Sequence, residues 1–219
     1  MICIGFAGCE AFDIILYMGR TLAKLNYPIL IIDISDSGAL GKAINHGMGL
    51  DSRQDIVNYR NINYLRRIPK EDELLLFQEG IILVDYGFHS SEELPLTCNV
   101  LNIVLNTYPH IIDKINTLMS SSNWKADIRQ LLHRDIISPD DIDRVISKIE
   151  FECDNMQNYL YLDLDDYFCS VNCQVKQSLK FIRLSSGMKK YIISQVHDII
   201  PQIKLNKIKN AFVSAGKGR

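Results

Sequence analysis

The chain has 219 residues, of which 47% are hydrophobic, and it carries a formal net charge of −2. This length is enough for one sizeable hydrophobic core and predicts a single domain. No apolar stretch approaches the roughly 18 residues of a membrane-spanning helix, and no positively charged lead-in marks a signal peptide, so we expect a cytoplasmic protein.

The first 35 residues predict a strand, a helix and a second strand. Ile2–Ala7 is a short apolar run, and Phe12–Asn26 repeats apolar residues at the spacing of one helix face. Pro28 cannot continue that helix. Ile29–Ile34 is an unbroken apolar run of the kind found in central parallel strands. Together these segments form a βαβ unit, and such units bind phosphate at the turn after their first strand.

The sequence of this unit, IGFAGCEAFDIILYMGRTLAKLNYPILIIDIS, resembles the ParA/MinD branch of P-loop NTPases, including pilus-localisation relatives of the TadZ and CpaE kind. The resemblance implies an α/β fold with a mostly parallel central sheet and helices on both faces. In that family a glycine-rich loop ending in Gly-Lys-Thr opens the helix. Aligning the helix and Asp33 without gaps places Ala11 at the phosphate-binding lysine.

The matching loop lacks the side chains on which a P-loop depends. Phe12 stands at the magnesium-binding Ser or Thr, Phe6 at the extra signature lysine, and Glu10 at the glycine before the phosphate-binding lysine. Gly5 and Gly8 remain, but the loop and the first helical turn contain no Lys, Arg, Ser or Thr. A P-loop needs backbone N–H groups, a lysine and a hydroxyl together. We therefore predict a degenerate nucleotide site without a cofactor, and ATP with magnesium is the disfavoured alternative.

The middle of the chain continues the alternation of strands and helices. A short helix is predicted up to about Ile44, ended by the region of Gly47 and Gly49. The further predicted elements are a strand at Asn61–Leu65, a helix at Lys70–Glu79, strands at Ile81–Val84 and Val100–Leu105, a helix from Pro109, and a strand at Ile128–His133.

Two acids follow predicted strands, Asp33 and Asp85. The resemblance implies that Asp85 matches the Walker B aspartate. The alternative for both residues is that the carboxylate only caps the next loop.

The last third predicts a helix opened by Ser138, a sixth strand at Tyr159–Leu162, and a final long helix capped by Ser185 or Ser186. Three carboxylates follow the sixth strand: Asp163, Asp165 and Asp166. Such a group can bind a divalent cation or act in acid–base chemistry, but a solvated loop is the favoured interpretation.

The cysteines and histidines indicate no metal site. The six cysteines form no C-x-x-C pair, and Cys169 and Cys173 have no second matching pair. The five histidines share no ligand spacing, and no Gly-x-Ser-x-Gly elbow is present. We expect free thiols in a reducing compartment.

Three functions remain open. The favoured one is a non-catalytic ParA/MinD-like adaptor, a pseudo-ATPase for the localisation or assembly of a pilus, secretion or partitioning machine. An ATPase that binds nucleotide in an unusual way, with Asp33 and Asp85 holding magnesium, is the second. A dinucleotide-dependent oxidoreductase is the third, although its G-x-G-x-x-G fingerprint is absent.

The charge distribution predicts the partners. Residues 174–219 hold ten basic residues and one acid, a balance of +9, whereas the first 173 residues carry −11. We divide the chain into a domain at 1–200 and a basic C-terminal tail at 201–219. The tail is expected to be a frayed basic terminus that packs briefly on the body or touches an acidic partner. The alternative, by resemblance to MinD, is an amphipathic segment that contacts an anionic membrane on its inner face.

The resemblance also implies protein partners in a membrane-associated machine and a homodimer. In that dimer the apolar loop residues Phe6, Ala7, Ala11 and Phe12 would pack directly across the site. No specific nucleic acid is predicted as a partner.

Overall fold

A computed structural model describes residues 1–44, 56–89, 96–121, 123–177 and 179–218. The predicted helix end at Gly47 and Gly49 lies outside these residues.

The described residues form one sheet of eight strands in the order β3-β4-β2-β5-β1-β6-β7-β8. Neighbouring strands run parallel throughout, except that β3 and β4 are antiparallel. The strands are β1 (Ile2–Gly8), β2 (Ile29–Asp33), β3 (Val57–Tyr59), β4 (Ile62–Leu65), β5 (Ile81–Gly87), β6 (Cys98–Leu105), β7 (Ala126–Ile136) and β8 (Gln157–Tyr161).

Helices cover both faces of this sheet, each over its own hydrophobic core. One core joins α1, α2, α6, α7 and α8 to the sheet, and the other joins α3, α4 and α5 to the opposite face. The helices are α1 (Phe12–Ala23), α2 (Ala39–Ile44), α3 (Glu71–Leu75), α4 (Pro109–Ser121), α5 (Asp140–Ile146), α6 (Leu164–Val175), α7 (Ser186–Ile199) and α8 (Leu205–Gly216). The predicted α/β fold, with a mostly parallel sheet and helices on both faces, is confirmed.

The edge of the sheet differs from the prediction. The predicted strand at Asn61–Leu65 is half of a hairpin, because β3 precedes β4 and pairs with it antiparallel. Arg60 and Asn61 form the tight turn, with φ of 54° and 62°. Two successive positive φ values match the twist of a two-residue hairpin. Asn61 is therefore a turn residue, and no apolar alternation in the short β3 indicated the extra strand.

The C-terminal segment is not a frayed end. Residues 205–216 form α8, whose apolar side chains Ile208, Phe212 and Ala215 lie buried in the same core as α1. The frayed-terminus interpretation is wrong, because the apolar face of α8 is buried in the core and the helix continues through the small residues 214–216. The domain boundary placed after residue 200 stays a prediction.

The final long helix begins as expected. Ser185 caps α7, and its hydroxyl accepts the Met188 N–H at 3.0 Å. Within the described residues no helix has the length and apolar character needed to cross a membrane. All six cysteines are free, and Cys3 and Cys98 lie with their sulfurs 3.8 Å apart in the core.

Candidate functional site

The turn between β1 and α1 lies near the middle of the sheet, at the carboxyl end of β1. Strand β1 runs between β5 and β6, so the chain moves to one side of β1 to form β2 and to the other side to form β6. Ligands of open α/β sheets bind at the carboxyl ends of the strands where the strand order reverses in this way. A ligand site is therefore expected at the carboxyl end of β1.

The glycine-rich segment is part of the sheet. Residues 5–8 belong to β1 and pair with β6 from Gly5 to Gly8, while Phe6 also pairs with Asp85 of β5. The Cys9 N–H continues this pairing by donating to the Val104 carbonyl at 2.8 Å. Only Cys9–Ala11 connect the strand to the helix. A P-loop instead leaves its backbone N–H groups free to surround phosphate.

Both glycines have local structural reasons to be present. Gly8 has a φ of 104°, in the left-handed region, and a side chain there would collide with the Val104 carbonyl. A Cβ atom at Gly5 would lie 2.8 Å from the Tyr86 ring. These positions hold glycine because strands and side chains approach closely, with no ligand required.

The predicted apolar site residues face inward. Phe6, Ala7, Ala11 and Phe12 are all buried in the core, and only Glu10 of the loop is exposed. A direct packing of these four side chains across a dimer is therefore wrong, because they already pack within their own chain. The homodimer itself stays a prediction.

An arginine that the sequence analysis did not single out occupies the start of α1. Arg134, near the end of β7, donates to both carboxylate oxygens of Asp13 at 2.8 and 3.0 Å. The same guanidinium donates to the Glu10 carbonyl at 2.7 Å. Asp13 is 1% exposed and Arg134 is 14% exposed, so the pair is largely removed from water. The polar run from His133 to Asp135, at the end of an apolar strand, was the available signal.

This ion pair determines the electrostatics of the helix start. Burial opposes the charge on Arg134, but attraction to Asp13 outweighs it, and the pKa of Arg134 lies above its ordinary range. A bidentate pair of this kind is a strong charge-assisted interaction. The carboxylate of Asp13 also occupies the first turn of α1, where a helix favours negative charge. The Arg134 cation is thus paired within the chain, and Asp13 places a carboxylate in the first turn of α1.

Asp33 caps the loop that follows β2. One carboxylate oxygen accepts the Ser35 N–H at 3.1 Å and the Ser35 hydroxyl at 2.6 Å, and the other accepts the Gly41 N–H at 3.3 Å. The Arg66 guanidinium approaches the carboxylate at 3.8 Å. These contacts agree with the alternative that the Asp33 carboxylate only caps the next loop.

Asp85 is the least satisfied group at the site. It is 1% exposed; one oxygen accepts the Gly87 N–H at 3.2 Å, and the other has no hydrogen-bond partner among the described residues. Burial raises the pKa of Asp85 well above its usual range, and the neighbouring charges of Asp33 and Glu10 raise it further. A carboxyl group with a raised pKa retains its proton more readily than a typical magnesium ligand does.

The acids after β8 have structural roles. Asp163 caps α6 by accepting the N–H groups of Asp165 and Asp166. Asp166 accepts both the N–H and the hydroxyl of Ser185 at 2.6 Å, which ties the start of α7 to α6. The favoured solvated-loop interpretation is wrong, because this stretch opens a helix. In the described part of the chain no group of three metal-ligating side chains is assembled.

Taken residue by residue, the site does not fit a nucleotide held as in a P-loop. Its glycine-rich strand is paired in the sheet up to Gly8, Asp13 and Arg134 pair at the helix start, and the side chains of Ala11 and Phe12 offer no donor. Asp33 and Asp85 lie side by side where the adjacent strands β2 and β5 end.

Comparisons with known proteins identify the architecture. No family model matches the chain, and no curated protein matches it. The solved MinC:MinD cell division complex of Aquifex aeolicus superposes with a TM-score of 0.57 at 11% identity, covering 93% of this chain and 97% of the other. A plasmid partition protein of Borrelia burgdorferi B31 bound to AMPPNP gives 0.56 at 11%, covering 92% and 99%.

A third solved structure, a ParA-family ATPase of Chlorobium tepidum TLS, gives a TM-score of 0.51 at 12% identity and covers 98% of this chain and 97% of the other. The similarity spans nearly the full length of each chain, whereas the identities are too low to carry over any activity. The chain therefore has the ParA/MinD-like P-loop NTPase fold.

Proposed function

We propose that this chain is a ParA/MinD-like adaptor that performs no ATP chemistry and acts in the localisation or assembly of a pilus, secretion or partitioning machine. The observation that carries the proposal is the closed turn between β1 and α1. The strand that leads into it pairs with β5 and β6, and Arg134 bridges Glu10 and Asp13 at the helix start.

The adaptor role is supported by what the fold retains. The solved relative from Aquifex aeolicus is a complex of MinD with MinC, so the same architecture presents surfaces to a protein partner. We propose protein partners in a membrane-associated machine and a homodimer as the working form.

Thermal denaturation with and without nucleotide tests the central claim. The purified protein is heated with ATP, ADP or NAD(H), each at about 100 times the dissociation constant of an ordinary site, with magnesium present. Binding at that ratio stabilises by about 2.7 kcal/mol. We expect no shift in the melting temperature. A shift with ATP that requires magnesium contradicts the proposal.

The atypical ATPase is the second candidate, and Asp85 favours it. One of its buried oxygens has no hydrogen-bond partner among the described residues, and the resemblance matches this residue to the Walker B aspartate. Turnover of ATP that needs magnesium and is lost in Asp85→Ala would establish this alternative. The oxidoreductase is disfavoured, because the carboxylate of Asp33 is hydrogen-bonded to its own loop. A shift in the melting temperature with NAD(H) alone would support it instead.

A further inference from the structure

Helix α6 carries an apolar stripe on its outer face. Its buried side is formed by Asp166, Cys169 and Cys173. On the opposite side Leu164 is 71% exposed, Phe168 58% and Val175 75%, and Val171 between them is half-buried. Large apolar side chains this exposed and this close together mark an interaction surface.

The stripe has the spacing of a helix–helix contact. Leu164, Phe168, Val171 and Val175 follow one another at intervals of four, three and four residues. This is the a/d pattern of helices that pack side by side. It extends for about 16 Å at 1.5 Å per residue.

The order of these intervals is the same in both directions. When two copies of α6 lie antiparallel about a twofold axis, Leu164 of each meets Val175 of the other, and Phe168 meets Val171. Every apolar residue of the stripe thus finds an apolar partner, as an isologous contact requires.

The charges at the ends of α6 agree with the same arrangement. Asp163 and Asp165 lie at its start, and Lys176 caps its end. Antiparallel pairing brings the acidic end of one helix to the basic end of the other, whereas parallel pairing brings like charges together. Opposed helix dipoles also favour it.

We propose that α6 is the contact surface of a homodimer, in which it pairs antiparallel with α6 of a second copy of this chain. The inference rests on the dimer included in the proposed function and specifies its surface, but it is independent of nucleotide. Because a single helix pair is a small interface, we expect a dissociation constant in the micromolar range.

Sedimentation of the full chain from about 1 to about 200 μM tests this surface. We expect wild type to form a dimer with rising concentration and Phe168→Asp to remain monomeric. The matched control is Val213→Asp, which introduces the same charge at a 55% exposed residue of α8 and should still dimerise. Circular dichroism checks that each variant is folded.

A charge-rescue pair tests the antiparallel register. Leu164→Glu alone and Val175→Lys alone should each weaken the dimer by about tenfold or more, because each introduces a charge opposite an apolar side chain. The double variant Leu164→Glu/Val175→Lys should recover most of that loss. The two positions lie about 16 Å apart on one helix, so only a contact between copies can pair their charges.

The possible results separate the claims. A wild type that stays monomeric at all concentrations overturns both the surface and the dimer. A wild-type dimer that Phe168→Asp leaves unchanged overturns the α6 surface alone. A double variant no tighter than the single variants overturns the antiparallel register. None of these results alters the nucleotide experiment, which tests the adaptor role separately.

Discussion

At the scale of single residues, the contact between Arg134 and Asp13 distinguishes this turn from a phosphate-binding loop. The two side chains come from distant parts of the chain and meet with almost no water around them. A buried ion pair contributes little when compared with apolar residues, but removing one partner leaves a buried charge alone. The pair therefore makes the turn sensitive to substitution at either position.

A double-mutant cycle measures this coupling. Arg134→Met should lower the free energy of unfolding by about 3–5 kcal/mol, because it strands Asp13 in the core. The double variant Asp13→Leu/Arg134→Met should cost clearly less than the sum of the two single variants. Urea denaturation of the four proteins gives the coupling energy. Additive single effects would show that the two charges do not depend on each other.

The raised pKa of Asp85 in the folded chain predicts that the stability of the protein depends on pH. Above the ordinary aspartate pKa of about 3.9, the unfolded chain loses the proton that the folded chain retains. Stability from this group is thus complete at low pH and is lost as the pH rises through the folded pKa.

We expect Asp85→Asn to be more stable than wild type at pH 7. The two proteins should be equally stable near pH 3.5, because this pH lies below the ordinary aspartate pKa of about 3.9. Melting temperatures across this range give the comparison. Asp36→Asn, at an exposed acid in the next loop, is the control and should follow wild type. Parallel curves for wild type and Asp85→Asn would mean that Asp85 titrates normally.

At the scale of elements, α8 is the main departure from expectation. Its Phe212 ring contacts the Phe181 ring at 5.4 Å between centroids, and Phe181 in turn contacts Tyr17 of α1 at 4.5 Å. This aromatic chain joins the last helix of the protein to the first. The basic C-terminal section therefore contributes a helix to the core.

Substitution of neighbouring residues on α8 tests that role. Phe212→Ala should lower the free energy of unfolding by about 3–5 kcal/mol, because it opens a cavity in the core. Val213→Ala, one residue further on and exposed, should change it by less than about 0.5 kcal/mol. Equal changes in the free energy of unfolding for the two variants, measured by chemical denaturation, would show that the inner face of α8 is exposed to solvent.

The central elements could be predicted from the sequence, because local patterns determine them. Unbroken apolar runs gave β1, β2 and β5, and the missing lysine at Ala11 was visible without a structure. The extension of β1 through Gly8 and the contact of Arg134 with Asp13 could not be predicted. Both depend on which strands lie next to each other, and pairings between distant residues leave no periodic signal in one sequence.

At the scale of the whole molecule, the charge is divided between an acidic body of −11 and a basic C-terminal section of +9. The lysines of α8 are exposed to solvent, but its apolar face is buried in the core. That face is therefore not available to insert into a membrane. Contact with an anionic membrane would then be electrostatic, at about 1 kcal/mol per lysine near the surface.

Flotation with vesicles tests this contact. We expect weak binding to anionic vesicles, none to neutral ones, and release by salt, because the Debye length falls to about 3 Å at 1 M. The triple variant Lys204→Glu/Lys207→Glu/Lys209→Glu should lose binding. The control reverses three exposed lysines of the acidic body, Lys24, Lys70 and Lys125, and should retain it. Retention by both variants would argue for a protein as the partner of the basic section.

The pairing of Gly5–Gly8 within the sheet also makes a phosphate-binding loop difficult to introduce at this turn. Introducing a lysine at Ala11 and a threonine at Phe12 would place a charge and a hydroxyl at positions that are buried in the core. The backbone would further have to give up its ladder, at about 0.5–1.5 kcal/mol for each hydrogen bond. Either substitution alone would therefore lower the stability of the fold before any phosphate could bind, so several simultaneous changes would be needed to build a phosphate-binding loop at this strand.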